Sequence, residues 1–289
     1  MKKLTVALLF AALVLSTFMV GCGKEETSSS VASESSSASS TESTASESAS
    51  SDASTDSSEA ISESSSAEIK VMTYADYIAA EKDAEVLVET YVQAKQSWWL
   101  DSETNQGKAT LYTQNQDGAI FVYQANCSEE DFAKISVGTK IRVKGFKGEY
   151  AGEIEIVDAT IEVLEGSYVA EATDITAILG NEEELLKKQN VFASFKELTV
   201  VASKDANGND VAFLYKYNGS GQDGDDLYFN VSDGTNTYSF TVESYLCDKT
   251  TDVYAAVKAL NIGDKVNMEG FLYWYNGANP HITKVEVVK

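Results

Sequence analysis

The sequence predicts a mainly β protein whose folded part is two tandem units, each of five strands with one helix between the third and the fourth. Two observations predict it. A phrase occurs twice, ISVGTKIRVKGF at residues 135–146 and LNIGDKVNMEGF at residues 260–271. The same succession of extended and helical stretches then surrounds each copy, which is how an internal repeat shows itself.

The elements follow in order. A short helical stretch is expected over 73–81. Strands are expected over 85–95, 108–114 and 119–125, with Gln116-Asp117-Gly118 as the hairpin turn between the last two. Residues 128–135 read as a helix, because Ser128 with Asp131 three positions on resembles a capping box. The repeated phrase then enters the fourth strand. Gly138 stands where the chain leaves the helix, and Lys140, Arg142 and Lys144 alternate with Ile141 and Val143, as a strand with one buried face requires. Gly145 inside that strand marks a kink or bulge. A corner at Glu149-Tyr150-Ala151-Gly152 leads to the fifth strand over 154–164.

The second unit repeats this. A helical stretch over 174–188, with Asn181 and Glu184 at capping-box spacing, bridges the two. Strands are expected over 191–202, over 212–218 continuing through 227–231, and over 236–246, with Val231-Ser232-Asp233-Gly234 as a turn. A helix over 252–260 is expected to be capped by Asp252. Gly263 and Gly270 repeat the places of Gly138 and Gly145, Tyr275-Asn276-Gly277 repeats the corner, and 282–288 is the last strand.

This order resembles the OB-fold, which implies that each unit is a small five-stranded Greek-key barrel. The fold class expected is therefore mainly β, with two tandem OB-fold-like barrels over 69–168 and 169–289. Cys127 and Cys247 occupy the same slot in the two units. Equivalent slots in two barrels are far apart, and a disulfide needs Cα atoms within about 7 Å, so both are expected as free, half-buried thiols.

The N-terminal part is of another kind. In residues 1–21 two lysines precede an uncharged apolar run, the layout of a secretory signal peptide. Met19-Val20-Gly21-Cys22 resembles a bacterial lipobox, which implies lipidation of Cys22 and attachment to the outer face of the bacterial cytoplasmic membrane. Residues 22–68 are mostly Ser, Ala, Thr and Glu, too poor in apolar groups to offset chain entropy. They read as a disordered tether, on the order of 150 Å long when stretched and ~40 Å when relaxed. As a whole the chain resembles exported bacterial lipoproteins in which a Ser-rich tether carries OB-like domains.

Charge and composition exclude some functions. The net charge is −23, from 45 acidic and 22 basic residues. Setting aside ten acids and Lys24 of the tether, with Lys2 and Lys3, leaves 35 against 19, a net −16 for the folded part. That opposes phosphate backbones, which are held by Lys and Arg. His281 is the only histidine, so a His-based triad or multi-His zinc site is not available; it reads as an edge-strand polar residue. Secreted OB-fold nucleases resemble this chain in fold class and use two arginines with a carboxylate and calcium. Arg142 is the only arginine here, so no enzyme is expected. Asp205, Asn207 and Asn209 alternate as calcium-loop ligands do, but the loop lacks Gly at its sixth position and Glu at its twelfth. We read it as a hairpin of turn formers and expect no metal and no cofactor.

The aromatic residues carry the binding expectation. OB-folds commonly bind ligands across their second and third strands, framed by the first and fourth loops. On that face Tyr112, Phe121 and Tyr123 alternate with aliphatic residues. Trp98 and Trp99 fall in the first loop and Tyr150 in the fourth. In the second unit Tyr215 and Tyr217 share a strand face, and Trp274 and Tyr275 lie in the fourth loop. With the outward Arg142 and Lys144, these are the candidate ligand contacts. The function expected is a non-catalytic, lipid-anchored extracellular binding or adaptor protein taking a glycan or peptide. Two alternatives are kept. One is single-stranded nucleic acid, which requires Lys108, Lys134, Lys140, Arg142, Lys144 and Lys147 to gather into one patch; the other is a structural part of an envelope complex.

Overall fold

A computed structural model of the chain describes residues 70–289. The expected signal peptide, the lipidation site Cys22 and the tether over 22–68 lie outside the described residues. Among the described residues no helix is long and apolar enough to cross a membrane.

The first barrel is built from β1 (Glu85–Lys95), β2 (Gly107–Gln114), β3 (Ala119–Asn126), β4 (Thr139–Tyr150) and β5 (Glu153–Ser167). Strand β1 pairs with β4, β4 with β5, β5 in parallel with β3, and β3 with β2. Strand β2 returns to the far end of β1 and closes the barrel. The second barrel consists of β6 (Phe192–Val201), β7 (Leu227–Ser232), β8 (Thr237–Val242), β9 (Lys265–Phe271) and β10 (His281–Val287). It runs the same circuit, with β8 and β10 as its one parallel pair. The OB-fold circuit expected from the repeat therefore occurs twice.

The alternation of β4 works as the sequence requires. Ile141 and Val143 are fully buried, while Arg142 and Lys144 point outward. Gly145 and Gly270 each sit at a register shift, between Lys144 and Phe146 in one barrel and between Glu269 and Gly270 in the other. A Cβ on Gly270 would stand 2.2 Å from the His281 carbonyl oxygen, and one on Gly145 2.7 Å from that of Val157. The backbones cross too closely there for any side chain, which is why both copies of the phrase keep a glycine at that step.

Four short helices flank the strands. Helix α1 (Tyr74–Ala79) opens on a complete capping box between Thr73 and Asp76 and buries Tyr77. Helix α2 (Glu129–Lys134) is capped by Ser128, whose hydroxyl accepts the Asp131 N–H. Helix α3 (Glu182–Leu186) is capped by Asn181. Helix α4 (Asp252–Lys258) buries Val253, Tyr254 and Val257 in the second core. Its cap is Thr251, not Asp252, which falls inside the first turn.

Two expectations fail locally. The bridge over 174–188 is not one helix. Asp174 Oδ1 takes both the N–H and the hydroxyl of Thr176, a local turn that competes with helix. Only a short 3-10 turn at Thr176–Ile178 precedes α3. Nor does 212–218 run on into β7. Leu214–Tyr215 alone pairs with it, and Lys216 at φ 59° turns the chain away.

Candidate binding cleft between the barrels

The outward face of β2 and β3 is the expected ligand face, and the second barrel covers most of it. Tyr112 and Phe121 are 0% and 2% exposed and form a third apolar cluster with Phe271. The Tyr112 ring stacks on Phe271 at 4.6 Å and meets Phe121 edge-on at 5.0 Å. Large buried rings in stacked and edge-on contact stabilise such a joint. Tyr112 is therefore corrected from ligand contact to interface residue, and Phe121 keeps only an edge toward solvent.

Polar groups close the rest of the joint. The Tyr112 hydroxyl and His281 Nδ1 are 2.6 Å apart. Burial drives the His281 pKa down to about 3, so the imidazole is neutral. His281 is thus a buried interface group, not an edge-strand residue. Glu153 accepts from the Asn190 side-chain amide and, at 3.0 Å, from the Trp274 N–H. Burial raises its pKa to about 8 against those two hydrogen bonds. Gln114 Oε1 accepts the Phe192 N–H at 2.8 Å, and the Asn276 N–H reaches the Ala151 carbonyl at 2.7 Å.

Beside this joint the barrels part to leave a cleft of about 660 Å3. Trp99, Tyr123, Tyr245, Tyr273 and the edge of Phe121 supply its rings. Gln96, Ser97, Thr110 and Gln124 supply neutral polar groups, with Glu243 and His281 also on its wall. Tyr273 stacks on His281 at 4.3 Å and meets Phe121 at 5.2 Å, so its face is fixed. Glu243 accepts from Gln96 Nε2 at 3.0 Å and from the N–H groups of Tyr245 and Leu246. Burial raises its pKa to about 7. No Lys or Arg lines the cleft.

The sequence-predicted residues divide accordingly. Trp99 and Tyr123, 40% and 41% exposed, face the cleft. Tyr150 and Tyr275 are exposed and pair across the barrels at 6.0 Å, outside its wall. Trp98 is corrected: its Nε1 donates to the Cys127 carbonyl at 2.9 Å and its ring covers Gly107, so it braces the loop. Trp274 is 4% exposed, part of the second core. Tyr215 packs edge-on against Phe213 at 5.3 Å, and Tyr217 stands alone in solvent.

Arg142 is held by Glu89 and Glu162, and Lys144 by Glu85. Of the other cations, Lys134 and Lys140 are paired with carboxylates. Lys108 donates to Asn126, and Lys147 donates to the carbonyls of Ile78 and Ala80. They are dispersed and partnered rather than gathered. Both oxygens of Asp205 are taken, Oδ1 by the N–H groups of Asn207 and Asn209 and Oδ2 by the Asn209 amide, as in a turn. Among the described residues no group of three or more His, Cys, Asp and Glu is placed to hold a metal. Cys127 and Cys247 are free and buried.

The sequence reading missed Gln96, Thr110, Gln124, Glu243, Tyr245 and Tyr273. Tyr273 stands next to Trp274, so the aromatic run was visible but the outward member was misassigned. Nothing in the sequence marks Glu243, which acquires its place only when the barrels dock.

No protein-family model matches the chain, and no curated protein does. Among solved structures it is similar to the tetrameric p202 HIN2, with 12% identity over 72% of this chain and 96% of that one and a TM-score of 0.30. A murine DNA-binding protein bound with double-stranded DNA gives 11% identity, 70% and 95% coverage and a TM-score of 0.34. A replication protein A heterotrimer bound to single-stranded DNA gives 12%, 77% and 70%, and 0.26.

Proposed function

We propose that this chain is a non-catalytic binding protein that takes a neutral, ring-bearing ligand, a glycan, in the cleft between its two barrels. The observation that carries the reading is the cleft wall itself: four partly open aromatic rings, amide and hydroxyl groups, a carboxylate, and no cation. Flat apolar rings beside neutral hydrogen-bonding groups suit sugar faces and their hydroxyls. The lipobox-like Cys22 and the Ser-rich segment 22–68 support placing the barrels on a tether at the outer face of a bacterial cytoplasmic membrane.

Single-stranded nucleic acid is the second reading. The exposed rings of Trp99 and Tyr123 favour it, because bases stack on such rings for ~1–3 kcal/mol each. DNA-bound proteins are among the solved structures similar to this chain. The charge of the cleft weighs against it, since phosphates need cations.

Calorimetric titration of the purified protein with neutral oligosaccharides, uncharged peptides and oligo-dT separates the readings. Glycan binding that falls at least tenfold in Trp99→Ala and Tyr123→Ala is expected. Oligo-dT binding with a steep salt dependence, and no glycan binding, would replace the first reading by the second. Binding of uncharged peptides alone would change the ligand class and keep the cleft.

A further inference from the structure

The two barrels close unequally where their parallel strands meet. In the first, β3 and β5 pair at Phe121, Val122 and Asn126. In the second, β8 meets β10 only at Thr241, whose N–H donates to the Pro280 carbonyl at 3.0 Å. That bond fixes the phase of β8. Every second residue of a strand turns its N–H and C=O to the same side, so Thr237 and Ser239 point theirs as Thr241 does, away from β7. The register with β7 is unbroken from Val242 to Thr237, so no bulge reverses them. Among the described residues no group meets those two N–H and two C=O groups.

This open edge stands on one wall of a groove of about 410 Å3, with Thr237 and Ser239 exposed. Leu179, Leu185, Trp274 and Pro280 supply its apolar surface. Glu182, in the first turn of α3, also lines it, and no Lys or Arg does. Lys187 is taken by Glu183 and Glu184, so Glu182 has no ion pair among the described residues. Edge strands are commonly guarded against further pairing by Lys, Pro or a bulge. Thr237-Tyr238-Ser239 carries none of these.

We infer that the edge of β8 takes an extended basic peptide, which pairs with Thr237 and Ser239 as an added strand and brings a Lys or Arg to Glu182. The open backbone groups recur every second residue, ~6.7 Å apart at the rise of a strand. Another extended backbone offers matching groups at the same repeat. Its side chains alternate, so one set meets the apolar wall. Charge chooses the partner: Glu182 attracts a basic peptide, whereas a second copy of this chain would bring its own large negative charge. The groove shares no residue with the wall of the cleft, so the peptide site does not depend on what the cleft binds.

The test is calorimetric titration of the purified protein with acetyl-Lys-Val-Thr-Val-Lys-amide, whose terminal lysines serve either strand direction. The control is the same peptide N-methylated at every residue, which keeps the side chains and charge and loses the main-chain donors. The unmethylated peptide is expected to bind about tenfold more tightly, through main-chain hydrogen bonds the control cannot make. Glu182→Gln should weaken it about threefold, and less at high salt. Ser239→Pro removes one outward N–H at an edge, where proline is tolerated, and should weaken it about tenfold. The methylated control decides on the unaltered protein even where that variant does not fold. Equal binding of both peptides, or of neither, overturns the inference and leaves the glycan reading standing. Peptide affinity lost in Trp99→Ala would put the peptide in the cleft. A dimer in sedimentation that Ser239→Pro dissolves would give the edge to a second copy. Either of these results also overturns the inference.

Discussion

The hydroxyl of Tyr112 on the first barrel and Nδ1 of His281 on the second meet at 2.6 Å, with both side chains out of water. The face that an OB-fold commonly offers to ligand is here used to join two OB-folds, and the ligand site moves to the edge of the joint. Tyr112→Phe keeps the stack on Phe271 and removes the hydrogen bond. A buried polar group left without its partner costs about 1–3 kcal/mol, so the melting temperature should drop while unfolding stays a single transition. An unchanged melting temperature would show that the pair contributes nothing to the joint.

Acid and base should act on this joint in opposite ways. His281 has a folded pKa of about 3, below its unfolded value near 6.5, so its contribution is present above pH ~6.5 and lost as pH falls. Glu153, Glu155 and Glu243 have folded values of about 8, 7 and 7, above an unfolded value near 4.5. Their contributions are fully present below pH ~4.5 and lost as pH rises through 7 to 8. Three groups against one predict that the melting temperature declines from pH 5 to pH 8.5. Glu153→Gln should flatten that decline; a flat profile in the unaltered protein would contradict the burial of these carboxylates.

Gly152 tests how closely the barrels approach. It has φ 86°, and a Cβ there would stand 2.9 Å from the Trp274 ring across the joint. Gly234 has φ 94° with nothing within 4 Å of its Cβ position. Gly234→Ala should cost only the left-handed strain, about 1–2 kcal/mol. Gly152→Ala should cost distinctly more, by denaturant titration, because Trp274 must also move. Equal losses would mean that the two barrels do not touch at that corner.

What the sequence reveals follows from how local each cause is. The barrels were legible because their signals are local: alternation in β4, capping at Ser128 and Asn181, and the glycines of the repeated phrase. The cleft was only half legible. Trp99 and Tyr123 could be placed by strand and loop, since one barrel alone positions them. Tyr112 and His281 were misread because a residue facing outward from its own barrel looks the same in sequence whether it meets solvent or another barrel, and Trp274 because a loop ring that folds into the core looks the same as one left in solvent.

Arg142 separates the two readings of function most cheaply. Its guanidinium is shared between Glu89 and Glu162 on the outer side of the first barrel, and Lys140 remains on Glu89 when it is removed. The ion pairs are solvent-screened, so Arg142→Ala should change stability little. If the cleft binds glycan, the affinity should not change, because no cation lines its wall. If the first barrel binds nucleic acid through a backbone contact at Arg142, oligo-dT affinity should fall and the slope of log affinity against log salt should shrink by about one phosphate. A loss of glycan affinity in Arg142→Ala would place the sugar on β4 and not between the barrels.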